Sequence, residues 1–208
     1  MPASAPRQTN ALALSSRGLA LRGSSLRGLA GALLLFCASC APGSGLAPLP
    51  SYSARTYQLG GGDQVRVIVY GEDQLTGEYR VDDQDKIALP LIGTLTVTGL
   101  SSEQLASKIA GDLKQRNIIR DPSVSVEVLA YRPIYVLGEV ARPGEYPYQP
   151  GMTMLTAVAV AGGFTYRAVQ GYASDVRTTN THSPTEGSIT PLTVVAPGDV
   201  IKVFERRF

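Results

Sequence analysis

The 208-residue chain has no Trp, one His and two Cys. These scarcities exclude chemistry first. One imidazole and two thiols cannot build a multi-His or Cys₄ metal centre. A Ser-His-Asp triad would have to use His182, the only histidine,. Basic residues give no nucleic-acid face either. Residues 1–39 hold Arg7, Arg17, Arg22 and Arg27 and no acid, so four of the 19 Lys and Arg are removed from the balance. The remaining 15 against 17 Asp and Glu leave −2 from residue 40 onward, and nucleic acid is not an expected partner,. After Cys40 no stretch is long and apolar enough to span a bilayer as a helix,. No run of alternating ten-residue strands suggests a membrane β-barrel.

What is present is apolar enough to fold. Hydrophobic residues make up 44%, and 22 Gly with 14 Pro imply many tight turns and short strands,. The length allows one typical domain plus a tail or a second small module.

The N-terminus reads as an address. Arg-dotted, acid-free residues precede Leu29-Ala30-Gly31-Ala32-Leu33-Leu34-Leu35-Phe36, a run of signal-peptide length,. It ends in Cys37-Ala38-Ser39-Cys40, where small residues before Cys40 resemble a bacterial lipobox. In such signals the cysteine takes a diacylglycerol, the peptidase cuts before it, and the new amine is acylated. Cys40 is therefore the expected S-diacylglycerol and N-acyl site. Cys37 fits less well because Phe36 precedes it, and Cys37 itself stands where the lipobox usually has Leu. An ordinary signal peptide with a free Cys near the cut is the alternative. The long n-region also allows a start downstream of Met1. Acylation of Cys40 would leave no second thiol for an intrachain disulfide. Ala41 in place of Asp matches the sorting rule for the outer membrane. Residues 41–55 are rich in Pro, Gly and Ser and read as a tether, reaching at most about 50 Å if extended,.

Period-two patterns mark strands. Val65, Val67 and Val69 alternate with Gln64, Arg66, Ile68 and Tyr70, and Val124, Val126 and Val128 with Ser123, Ser125 and Glu127,. Shorter candidates are 86–90, 134–137 and 199–204. Two helices are expected. Ser101 as N-cap with Gln104 fits a capping box. Leu105, Ala106, Ile109, Ala110 and Leu113 then share one face, and the helix ends before Asn117. The second runs from about Thr153 to Ala161 and stops at Gly162-Gly163. It is apolar nearly all round, so it is either deeply buried or packed between subunits.

An internal repeat relates Gly62-Asp63-Gln64-Val65-Arg66-Val67 to Gly198-Asp199-Val200-Ile201-Lys202-Val203. A ligand-binding turn would be the functional reading. The favoured one is structural: Gly permits the turn and Asp caps it through its own backbone. Gly60-Gly61-Gly62 is not a P-loop, because a strand follows and no Lys-Ser or Lys-Thr does. Glu72-Asp73 and Asp82-Asp83 lack Ca²⁺-loop spacing and read as solvated turn charges. Residues 178–190 read as a polar loop, and His182 within its 178–184 part is expected to be exposed and unemployed. Arg132-Pro133 and Arg142-Pro143 are expected only to set extended or turn backbone.

These residues carry a resemblance. Residues 57–65 (YQLGGGDQV), Tyr79-Arg80-Val81-Asp82, Leu89-Pro90-Leu91-Ile92-Gly93, 97–101 (VTGLS) and Asp121-Pro122-Ser123-Val124 resemble the polysaccharide export domain in order and spacing. Residues 136–146 (VLGEVARPGEY) and Ala161-Gly162-Gly163-Phe164 resemble the soluble-ligand-binding β-grasp (SLBB) module that follows it. The fold this implies is α+β: a small mixed-sheet export domain over 56–131, then an SLBB-like β-grasp module over 132–208 with a returning C-terminal strand. A signal peptide (1–39) and a lipidated tether (40–55) precede them. The family-motif turns are Gly62, Asp63, Pro90, Gly93, Gly138, Pro143, Gly144, Gly162, Gly163, Gly198 and Asp199.

Similarity to the Wza- and GumB-like exporters implies an outer-membrane lipoprotein facing the periplasm. Copies form a homo-oligomeric ring through which capsular or extracellular polysaccharide passes. A Wzc- or GumC-like inner-membrane copolymerase docks beneath. No catalysis, cofactor or metal is implied. Two departures stand out. Gln84-Asp85 replaces the usual Asp-Gly before the third strand. The chain also stops at Glu205-Arg206-Arg207-Phe208, without the family's membrane-spanning helix, so a separate outer-membrane-spanning partner is expected. Two other readings remain: a non-conducting lipoprotein that binds or anchors a glycan or an export complex, and a periplasmic enzyme, for which no nucleophile–base pair is visible.

Overall fold

In a computed structural model, residues 41–53, 57–178 and 183–207 are described. Residues 1–39, Cys40 and His182 lie outside them.

The first domain grows from β1 (Gln64–Val69). Val65, Val67 and Val69 turn inward and are buried, while Arg66 and Ile68 face out, as the alternation requires,. β2 (Gly77–Arg80) and β5 (Val124–Ala130) pair antiparallel on either side of β1, giving the order β2-β1-β5. β3 (Lys86–Leu89) and β4 (Gly93–Thr96) form a separate hairpin. Between β4 and β5 runs α1 (Ser102–Gln115). Ser101 caps it as expected: its Oγ accepts from Gln104 N at 3.3 Å, and Gln104 Oε1 accepts from Ser101 N at 2.9 Å,. The C-terminal stop is a Schellman motif, with Asn117 at φ +57°. Asn117 N–H bonds to Lys114 O and Ile118 N–H to Leu113 O,. Leu105, Ile109 and Leu113 are fully buried against the sheet core. Truncating one to Ala costs about 2–5 kcal/mol.

The second domain is a five-stranded mixed sheet, β7-β6-β10-β8-β9. Its members are β6 (Ile134–Gly138), β7 (Gly144–Tyr146), β8 (Ala173–Thr178), β9 (Pro184–Ile189) and β10 (Val200–Val203). The returning strand β10 lies between β6, parallel, and β8, antiparallel. α2 (Met154–Val160) is capped by Thr153 and ends in a second Schellman motif at Gly162-Gly163. Each domain has its own apolar core. The α+β architecture is as the sequence implied.

Three expectations change. The polar stretch 178–190 is not all loop, because Pro184–Ile189 pairs with β8 along six residues. Its ladder is legible only in backbone hydrogen bonds, since its side chains are mostly polar. Of the two readings of α2, deep burial falls: Met154, Ala157 and Val158 face the core, while Leu155 and Val160 stay more than 40% exposed. The segment read as a tether is docked. Ser188 N–H bonds to Ala47 O at 2.9 Å and Leu49 N–H to Ser188 O at 3.1 Å, so residues 47–49 cover the free edge of β9,. Gly187 makes this possible, because a Cβ there would lie 2.6 Å from Leu49 Cγ and 2.7 Å from Ala47 O. Composition suggested a free coil; an unpaired sheet edge offered these backbone groups partners.

Candidate functional site

The two repeated Gly-Asp turns meet at the joint between the domains. In the first, Asp63 N–H bonds to Gly60 O at 3.2 Å and Gly62 has φ +97°. In the second, Asp199 N–H bonds to Ala196 O at 3.1 Å, with Pro197 and then Gly198 at φ +86°. Both have the form of a type II turn, which needs positive φ at its third residue. Each aspartate also accepts the N–H three residues back, Gly60 N at 2.9 Å and Ala196 N at 2.6 Å. The expected cap is therefore present, but both carboxylates reach further. Asp63 accepts the Tyr57 hydroxyl and, at 2.9 Å, the backbone N–H of Arg132. Burial first, then the Asp63 charge, push the Tyr57 phenol far above its usual range,.

Arg132 is the piece that sequence reasoning missed. Its side chain fits between the two turns. Nε donates to Pro197 O at 2.9 Å, and Gly198 N–H bonds to Pro133 O at 3.0 Å. A Cβ on Gly60 would lie 1.9 Å from Arg132 Nη1, and one on Gly198 3.1 Å from Nε. The guanidinium sits 6.0 Å from the Tyr57 ring centre,. Tyr57 meets Tyr131 edge-on at 4.9 Å, and Tyr131 meets Tyr148 at 5.5 Å. The available signal was an arginine and a tyrosine in the linker between two glycine-bearing repeats.

Two open clefts flank this joint. The larger, about 670 Å³, is walled by Gly60–Gly62, Arg80, Asp82, Asp83 and Arg132. The smaller, about 380 Å³, lies between Tyr52, Tyr57, Arg132 and Arg177. Charged side chains of both signs, Arg80 and Arg132 and Asp82 and Asp83, line the larger one among apolar and glycine backbone surface. Beside it, Asp85 fills the position where Gly was expected. It adopts φ +56°, which Asp tolerates better than most residues, and its Oδ1 accepts Gly61 N–H at 2.7 Å,. The departure thus keeps the turn and ties it to the Gly60–Asp63 loop. Among the described residues no group of three or more His, Cys, Asp or Glu could hold a metal ion.

Behind the second turn lies a buried charge network. Arg177 donates Nη2 to Asp199 Oδ2 at 2.7 Å and to Asp175 Oδ2 at 3.1 Å, with both carboxylates essentially inaccessible. Burial, followed by the nearby Asp199 charge, pushes Asp175 up to about 8; Arg177 opposes the shift without cancelling it,. Arg177 also holds the N-terminal segment. Its Nη1 donates to Pro50 O at 3.0 Å, and its guanidinium lies 5.6 Å from the Tyr52 ring centre.

The remaining motif residues are spread over other turns. Pro90 and Gly93 flank the β3–β4 turn, where Ile92 N–H bonds to Pro90 O at 2.7 Å. Pro143 and Gly144 lead into β7. The Ala141–Arg142 segment just before them bonds back to Gly163 O and Ala161 O, at 3.0 and 2.9 Å. Gly138 ends β6 at φ +84°, and a Cβ there would lie 2.1 Å from Val203 O, so no other residue fits,. The structure gathers Gly62, Asp63, Gly198 and Asp199 at the joint.

A three-stranded antiparallel sheet with one long helix, joined through Arg132 to a five-stranded mixed sheet, defines a two-domain α+β protein. Comparison with known families assigns both halves. The family described as polysaccharide biosynthesis/export protein matches residues 51–129, and the SLBB domain matches 133–176. The chain belongs to the polysaccharide export protein family. It is 37% identical over 142 residues to the exopolysaccharide production protein ExoF of Rhizobium meliloti, covering 63% of this chain and 32% of that protein. It is 31% identical over 112 residues to the polysialic acid transport protein KpsD of Escherichia coli, covering 51% and 19%. To the EPS I polysaccharide export outer membrane protein EpsA of Ralstonia nicotianae it is 30% identical over 115 residues, covering 54% and 29%. The chain thus spans about a third or less of the length of these relatives.

Proposed function

We propose that this chain is an outer-membrane lipoprotein whose copies assemble into a periplasmic ring for the export of capsular or extracellular polysaccharide. The observation that supports it most is the pair of matched domains, in family order, joined by a built junction. The names of the relatives, exopolysaccharide production, polysialic acid transport and polysaccharide export, point to the same polymer class. Cys40 carries the acyl groups. The inner-membrane copolymerase docks on the periplasmic side. Polymer contact is polar and distributed, with no covalent chemistry by the chain. No helix among the described residues is long and apolar enough to cross a membrane.

Rings of cyclic symmetry need head-to-tail contacts in which one patch meets a different one. A clamped pair of domains presents such patches in fixed relation, whereas a loose pair would not. The test is the mass and shape of the acylated protein extracted in mild detergent. Closed rings of many copies are expected. A uniform monomer would overturn the conduit and favour the non-conducting anchor.

A further inference from the structure

The docked N-terminal segment fixes which end of the molecule meets lipid. We propose that the tip of the second domain, formed by Tyr166, Arg167, Arg206 and Arg207, rests on the headgroups of an anionic phospholipid bilayer. This rests on the reading that Cys40 is acylated.

Gly43 packs so closely on the Phe204 ring that a Cβ would lie 2.7 Å from it. Only two residues, Ala41 and Pro42, lie between Cys40 and Gly43, a reach of about 10 Å,. The acyl chains, and the headgroups above them, must then lie close to Phe204. The segment cannot swing away freely, since Ala47, Leu49, Pro50 and Tyr52 are all held by the second domain.

Around Phe204 the surface has the chemistry of a bilayer interface. Val169 N–H bonds to Phe204 O, Arg206 N–H to Arg167 O and Arg206 Nε to Ala168 O, each at 2.8 Å, so residues 166–169 and 204–207 form one rim. Tyr166 on that rim is 87% exposed, and Arg167, Arg206 and Arg207 are exposed with it. Glu205 pairs with Arg167, leaving two positive charges in excess. An exposed tyrosine beside arginines suits the headgroup layer, and a single lipid signal is commonly reinforced by a basic patch.

The same geometry aims the first domain away. β10 starts beside the Gly198–Asp199 turn at the joint and runs to the tip. Six residues from Gly198 to Phe204 put roughly 20 Å between joint and bilayer. The export domain lies beyond the joint.

The test places one fluorophore at Tyr166→Cys or, as the distant site, at Asp73→Cys in the exposed β1–β2 turn. Each full-length, acylated protein is reconstituted in phosphatidylglycerol vesicles carrying a headgroup spin label. Quenching at position 166 is expected to exceed that at 73 at least threefold, and Arg207→Glu should lower it in phosphatidylglycerol but not in phosphatidylcholine vesicles. Equal quenching at both sites, or insensitivity to Arg207→Glu, overturns the proposal. The mass of the N-terminal peptide is measured in the same samples. An acylated peptide with an unquenched tip refutes the tip contact alone, whereas a missing acyl mass refutes the anchor and the tip contact with it.

Discussion

The two Gly-Asp turns share six residues of pattern and one backbone geometry, yet they neutralise their buried aspartates differently. Asp63 is held by neutral donors: two backbone N–H groups and the Tyr57 hydroxyl. Asp199 is held by one backbone N–H and a buried arginine, which a second carboxylate also shares. A short motif therefore specifies a turn, while its surroundings decide whether the site is a hydrogen-bonded cap or an ion network. The first arrangement has no charge to orphan when broken, and the second does.

Substitutions can break this contrast. Asp199→Ala removes the main carboxylate partner of the Arg177 guanidinium and the acceptor of Ala196 N–H, and should cost about 3–5 kcal/mol in denaturant unfolding,. Gly138→Ala must move the Val203 carbonyl and adopt positive φ, and about 3 kcal/mol is expected from the same measurement. Asp63→Ala, which strands only neutral donors, should cost less than Asp199→Ala, about 2 kcal/mol. Equal losses for the two aspartates would mean that cap and ion network are energetically the same.

A pH series sharpens it further. The folded-state value of Asp175 is raised, so its protonated form is the one the fold accommodates. The unfolded chain releases this proton near pH 4, whereas the folded chain keeps it until about pH 8,. Its contribution is complete below about pH 4 and is lost as pH rises towards 8. Asp175→Asn should flatten that decline and gain on the order of 1 kcal/mol at pH 8. A decline unchanged in the variant would show that Asp175 titrates normally. The smallest effect is expected from Arg132→Ala, about 1 kcal/mol of stability. Its clearer readout is faster limited proteolysis near Tyr131–Pro133, because the joint loses its clamp.

What the sequence made legible follows the physics of local signals. The Ser101–Gln104 capping box, the stop before Asn117, the Gly162-Gly163 stop and the period-two strands β1 and β5 depend on neighbours in the chain, and all appear where expected. β8 and β9 escaped notice because β8 buries Ser174, Asp175 and Arg177, and β9 shows solvent mostly polar side chains. β8 is placed by its ladder with β10 and β9 by its ladder with β8, not by hydropathy. The same is true of residues 47–49, whose prolines and small residues hide a role at a sheet edge. At the joint the turns were legible as a repeat. Arg132 was not, because its partners lie 65 or more residues away in the chain.

The most direct test of the account is the location of polymer in a strain lacking this protein. Polysaccharide should build up in the periplasm and fall in the medium and on the cell surface. The intact chain should restore export, and Cys40→Ser should not. Polymer released to the medium at normal levels, with only its attachment to the cell surface lost, would contradict export and assign the protein to anchoring instead.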